Sequence, residues 1–151
     1  MQVVIPFIRI TRYPYEEPYH LNLVVEASNG RQRGALEIYA KAEDLSRLAR
    51  DLRGVLRGSS EAVQWELGSE RPEDRFAFYY RFRIVTVSGS GRCTIDLRFN
   101  NNQRPPEREI SEFSIEGVEP TELDRLAELL RQFSRLEHRV LEWTITDGDL
   151  T

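Results

Sequence analysis

The run "FAFYYRFRIVTVSGSGRCTIDLRF", from Phe76 to Phe99, constrains the fold more than any other stretch of the chain. Apolar and polar residues alternate along both arms, the period of a half-buried strand. The central Ser-Gly-Ser-Gly interrupts that pattern and supplies turn residues. With Gly89-Ser90 as a two-residue turn, Ile84 faces Ile95, Phe82 faces Leu97 and Tyr80 faces Phe99. Every inward pair is then apolar, with Phe76 and Phe78 extending that face. On the other face Arg83 meets Asp96 and Arg81 meets Arg98. An isolated hairpin is marginal in water, so the rest of the chain must cover its apolar face.

The flanking segments supply the means. "HLNLVVEA" and "GALEIYA" alternate as strands on either side of an Asn29-Gly30 turn signal, and "AVQWELG", "EISEFSIEGV" and "VLEWTI" read as further strands. Leu45, Leu48, Ala49, Leu52 and Leu56 recur at helical spacing, as do Leu123, Leu126, Ala127, Leu130 and Phe133. Thr121 with Asp124 resembles a capping box for the second helix. "SERPEDR" and "NNNQRPPER" read as polar loops, "RYPYEEPY" as an extended arm and "TDGDLT" as a tail. No internal repeat is read along the chain. The order predicts a single α+β domain over residues 1–151, with a mostly antiparallel sheet of about seven strands and two helices packed on one face. The expected core comprises Leu23, Leu36, Ile38, Leu48, Leu52, Trp65, Phe82, Ile95, Leu97, Phe113, Leu126, Leu130 and Trp143.

Little in the sequence points to chemistry. Cys93 is the only cysteine among 151 residues and falls on an apolar strand face, the setting of an inert thiol. His20 and His138 are the only histidines and lie far apart, which leaves little for a histidine-based metal centre while carboxylate sites stay open; no metal and no cofactor is expected. "GSGR" joins two strands, whereas a phosphate loop must lead into a helix N-terminus. The carboxylate clusters, Glu16-Glu17 and Glu119 with Glu122 and Asp124, carry no acid/base geometry in sequence alone. The expectation is that the protein is not an enzyme. A net charge of −4 argues against nucleic acid as a partner. No apolar run reaches membrane-spanning length, and the N-terminus lacks a basic leader, so a cytoplasmic location and no membrane partner are expected.

One layout is recognisable. A strand pair, a helix, "WELGS", a long hairpin and "GVEPTELDRLAELL" leading to a final "EW" strand resemble small uncharacterised bacterial α+β proteins. That set includes immunity proteins of polymorphic toxin systems. The resemblance implies a non-catalytic protein that neutralises a cognate toxin by binding it. The candidate contact residues come from this sequence alone: Tyr79, Arg81, Arg83 and Arg98 on the hairpin, and Tyr13, Tyr15 and Tyr19 in the arm. Arginine and tyrosine are the types that most often carry interface energy. The arginine face equally reads as the wet side of a half-buried sheet, because alternation demands polar residues there. Two other functions compete: a small-ligand-binding domain with its pocket between sheet and helices, and a self-associating protein pairing through an edge such as "EFSIE".

Overall fold

The computed structural model describes residues 5–15, 17, 20–60, 62–87 and 89–151. The seven alternating segments form strands, and two more join them. In chain order these are β1 (Phe7–Tyr13), β2 (Leu21–Ser28), β3 (Arg33–Ala40), β4 (Ala62–Gly68), β5 (Tyr79–Thr86), β6 (Cys93–Asn100), β7 (Ile110–Val118), β8 (Val140–Thr144) and β9 (Gly148–Leu150). Helix α1 spans Ala42–Leu56 and α2 spans Pro120–Phe133. Both helices start alike: the third residue's carboxylate accepts from the backbone N–H of the cap, Asp44 from Lys41 at 3.0 Å and Glu122 from Glu119 at 3.2 Å. The box therefore lies two residues earlier than Thr121 and Asp124 suggest, because Pro120 takes the first helical position, where its missing N–H costs nothing.

The hairpin register is the expected one. Ile84 pairs with Ile95, Phe82 with Leu97, Tyr80 with Phe99, Arg83 with Asp96 and Arg81 with Arg98. Every residue of the expected core is buried, within one continuous apolar cluster. Phe76 departs from expectation: pairing starts at Tyr79, and Phe76 is 53% exposed in the preceding loop.

A single sheet of about seven strands is not what forms. The strands divide into a five-stranded sheet, β3-β2-β1-β8-β9, and a four-stranded sheet, β4-β5-β6-β7, with every neighbouring pair antiparallel. The expected tail closes the larger sheet as β9, pairing Leu141 with Leu150. The helices pack on each other, α1 against β4 and α2 against β8 and β9, so they serve both sheets rather than one face of one. The sheets approach each other where β3 meets β6 and β7. Gly34 permits that approach: a Cβ there would lie 2.5 Å from Phe99 Cδ2 and 2.8 Å from Ser111 Cβ.

The topology also uncovers a repeat. Each half of the chain runs as a three-stranded meander, a helix and a fourth strand, and each fourth strand pairs in the other half's sheet. β4 follows α1 yet lies beside β5, while β8 follows α2 and lies beside β1. The helices carry the match in sequence. Setting "LSRLARDLR" (45–53) on "LDRLAELLR" (123–131) superposes Leu45 on Leu123, Arg47 on Arg125, Leu48 on Leu126, Ala49 on Ala127, Leu52 on Leu130 and Arg53 on Arg131. Each fourth strand also carries one buried tryptophan, Trp65 or Trp143.

Candidate functional site

The outer face of the four-stranded sheet carries four of the expected contact residues. Tyr79, Arg81 and Arg83 stand on β5 and Arg98 on β6, next to Glu112 of β7. None of these arginines is free. Arg83 Nη2 meets Asp96 Oδ2 at 3.0 Å, and Arg81 Nη2 meets Glu112 Oε1 at 2.8 Å. Arg98 reaches Glu112 Oε2 at 3.0 Å and Glu70 Oε2 at 2.7 Å. Glu112 thus bridges Arg81 and Arg98, which the register sets directly opposite and which would otherwise repel. The hydrogen bond from Arg98 holds the Glu70 carboxyl below its ordinary range, and the same contact raises Arg98. At the hairpin's tip Arg92 Nε meets Glu119 at 2.8 Å.

Tyr79 is 8% exposed and its hydroxyl donates to Glu66. Burial, and then that carboxylate, raise its pKa. The arm tyrosines lie elsewhere. Tyr13 ends β1 in the five-stranded sheet and stacks on Tyr15, with centroids 6.2 Å apart and planes at 11°. Tyr19 and Glu16 lie outside the described residues. Among the described residues the contact set is therefore split between the four-stranded sheet and the end of β1 in the five-stranded one, with Tyr15 just beyond it.

The remaining chemical groups have structural roles. Cys93 is buried, and burial, with a smaller contribution from Glu122, pushes its thiol up to about 11, so little thiolate forms near neutral pH. Glu119 is engaged by Arg92, Glu122 caps α2, Asp124 faces Arg53 at 3.8 Å and Glu17 pairs with Arg12. Among the described residues no group of three or more His, Cys, Asp or Glu side chains is arranged to hold a metal ion. No described helix is long and apolar enough to cross a membrane.

A different group of residues converges at one end of the four-stranded sheet. The β4–β5 loop (69–78) and the β6–β7 loop (101–109) meet there and enclose a cleft of about 490 Å³. Arg71, Arg75, Arg104 and Arg108 line it, with Phe76 and Ile110 as apolar walls. Hydrogen bonds lock the two loops together. Asn102 Nδ2 donates to the Ser69 and Phe76 carbonyls at 2.8 and 3.1 Å, and Asn100 donates to Glu70. Arg71 lies 3.3 Å from both Glu73 and Asp74, but no carboxylate among the described residues lies within ion-pair distance of Arg75, Arg104 or Arg108. Glu70, the only acidic residue among the described ones that line the cleft, is already taken by Arg98 and Asn100.

The sequence holds these arginines in plain view, within segments that read only as polar loops. Their loop positions do not distinguish them from the paired arginines of the sheet; the distribution of partners does. No family model, curated protein or solved structure matches the chain, so the site is read from its own geometry.

Proposed function

We propose that the protein is a non-catalytic protein-binding module, in the manner of an immunity protein that blocks a toxin. Its contact surface is the loop end of the four-stranded sheet, and its partner presents an acidic surface there. The partition of arginines is the observation that carries this reading. On the sheet face each guanidinium is matched by a carboxylate of the same chain, so a partner would have to displace an existing ion pair. At the loop end Arg75, Arg104 and Arg108 offer unmatched charge beside exposed Phe76 and Ile110. Tyr39, 53% exposed and 6.1 Å from the Phe78 ring, extends the apolar patch through the neighbouring groove that Gln103 also lines. Aromatic anchors ringed by arginine are the usual chemistry of an interface's energetic centre.

The test begins with affinity capture from the native host. A single acidic partner should bind, with an association rate that falls as salt rises. Arg104→Glu with Arg108→Glu should weaken that binding by about tenfold or more, while Arg83→Gln should leave it unchanged. Binding indifferent to salt and to the double reversal would reject the loop end as the contact surface.

A further inference from the structure

We infer that the arginine-lined cleft is a binding site for a phosphoryl group. The inference deepens the proposed function by naming the chemical group that the surface recognises, and it rests on that reading only for the identity of the carrier. Three features support it. The first is stoichiometry: among the described residues Arg75, Arg104 and Arg108 have no carboxylate partner, while Arg71 on the same wall is paired with Glu73 and Asp74. A carboxylate carries one negative charge and at most bridges two guanidinium groups, as Glu112 does, whereas a tetrahedral dianion offers two charges and three acceptor oxygens to several at once.

The second feature is backbone conformation. Arg75 sits in the left-handed region at φ 54° and ψ 36°, which glycine tolerates and arginine rarely adopts. The conformation closes the short turn Pro72–Asp74, the Arg75 backbone N–H donating to the Pro72 carbonyl at 3.2 Å, but no side-chain contact among the described residues uses the guanidinium. The turn requires the conformation but not the charge, so arginine in place of glycine at this position is what a ligand would explain. The third feature is rigidity, because Asn102 ties both loops into one rim before any ligand arrives. The apolar walls, Phe76 and Ile110, suit whatever carries the phosphate.

The chemistry has two sources, a phosphorylated side chain on a protein partner or a free phosphorylated metabolite, and inorganic phosphate probes what they share. Backbone and arginine Nε–H signals would be followed by NMR during phosphate titration at constant ionic strength. The expected result is saturable shifts confined to Arg75, Asn102, Gln103, Arg104 and Arg108, with a dissociation constant in the low-millimolar range or tighter (about −4 kcal/mol at 1 mM). Arg75→Gly relieves the left-handed strain, so it should fold at least as well as the parent yet bind phosphate about tenfold more weakly. Arg108→Gln should show the same loss, and Arg57→Gln, outside the cleft, none.

Non-saturating shifts spread over the surface, or parental phosphate affinity retained in both Arg75→Gly and Arg108→Gln, would overturn the inference. A phosphoserine peptide binding more tightly than inorganic phosphate would assign the group to a protein carrier, and a sugar phosphate doing so would assign it to a metabolite; either outcome supports the site. The two readings fail separately. A captured partner that needs the loop end while phosphate does not bind sinks this inference alone. Phosphate binding with a protein partner indifferent to the cleft sinks only the proposed function.

Discussion

Arg12 is 7% exposed at the end of β1, and its guanidinium serves three acceptors at once. Nε donates to the His138 carbonyl at 2.9 Å, Nη2 to the Leu136 carbonyl at 3.1 Å, and Nη1 pairs with Glu17. Removing it strands two carbonyls and a carboxylate, so Arg12→Ala should cost about 3 kcal/mol, read from the urea midpoint at unchanged slope. Arg12→Lys keeps the charge but not the fork, and should recover less than half of that loss. Glu128 makes the residue scale pH-dependent. It links the helices by accepting from Arg131 at 2.5 Å and Arg53 at 2.8 Å. The Arg131 hydrogen bond, followed by that of Gln132, draws its pKa down to about 2 from an ordinary 4.5. A depressed carboxylate stabilises the fold above its unfolded pKa, and that stabilisation drains away as pH falls from about 4.5 toward 2. Melting temperatures across this window should fall less steeply for Glu128→Gln than for the parent. Equal slopes would mean that the ion pairs of Glu128 do not contribute to acid stability.

Two glycines test how the elements are packed. Gly34 lies where β3 crosses Phe99 and Ser111, and Gly34→Ala should destabilise by about 1–3 kcal/mol through overpacking. Gly54 lies within α1, where an added Cβ would meet only Ser59 Oγ, at 3.4 Å. Gly54→Ala should therefore raise stability by about 0.5–1 kcal/mol. Thermal melts of opposite sign would support this packing, and a neutral Gly34→Ala would refute the close approach. The elements themselves were largely legible, because period-two alternation and i, i+3, i+4 leucines are local signals. β1 was hidden because its inward row, Ile8, Ile10 and Arg12, ends in a buried charge while Phe7 points the other way. β9 has only three residues, too few for any period. The repeat went unread: the two helix segments match, but the strands around them have diverged and the exchange of fourth strands exists only in three dimensions. Sheet membership was not legible, since alternation tells a strand which face to bury and nothing of which neighbour to join. The cleft stayed hidden for a similar reason: whether an arginine has a partner is a property of three dimensions.

At the scale of the whole molecule, the exchange of fourth strands is what makes one unit from two halves. Without the second half, the meander β1–β3 has no β8 beside β1, and β4 is left with no sheet to join. Without the first half, β5 loses its β4 neighbour and α2 loses the α1 face against which it packs. Each half alone would expose Trp65 or Trp143 and much of a helix's apolar stripe, far more than a fragment of that size can offset with its own core. Cutting the chain in the β4–β5 loop, after Arg71, should therefore yield two fragments that are unfolded separately but assemble when mixed. Circular dichroism should show no cooperative melt for either fragment as a monomer. An equimolar mixture should show one transition, at a midpoint that rises with concentration, as mass action requires of a two-chain complex. A fragment that melts cooperatively while monomeric by light scattering would show that its own fourth strand can fold back onto its own sheet, and the exchanged topology would then be dispensable for stability.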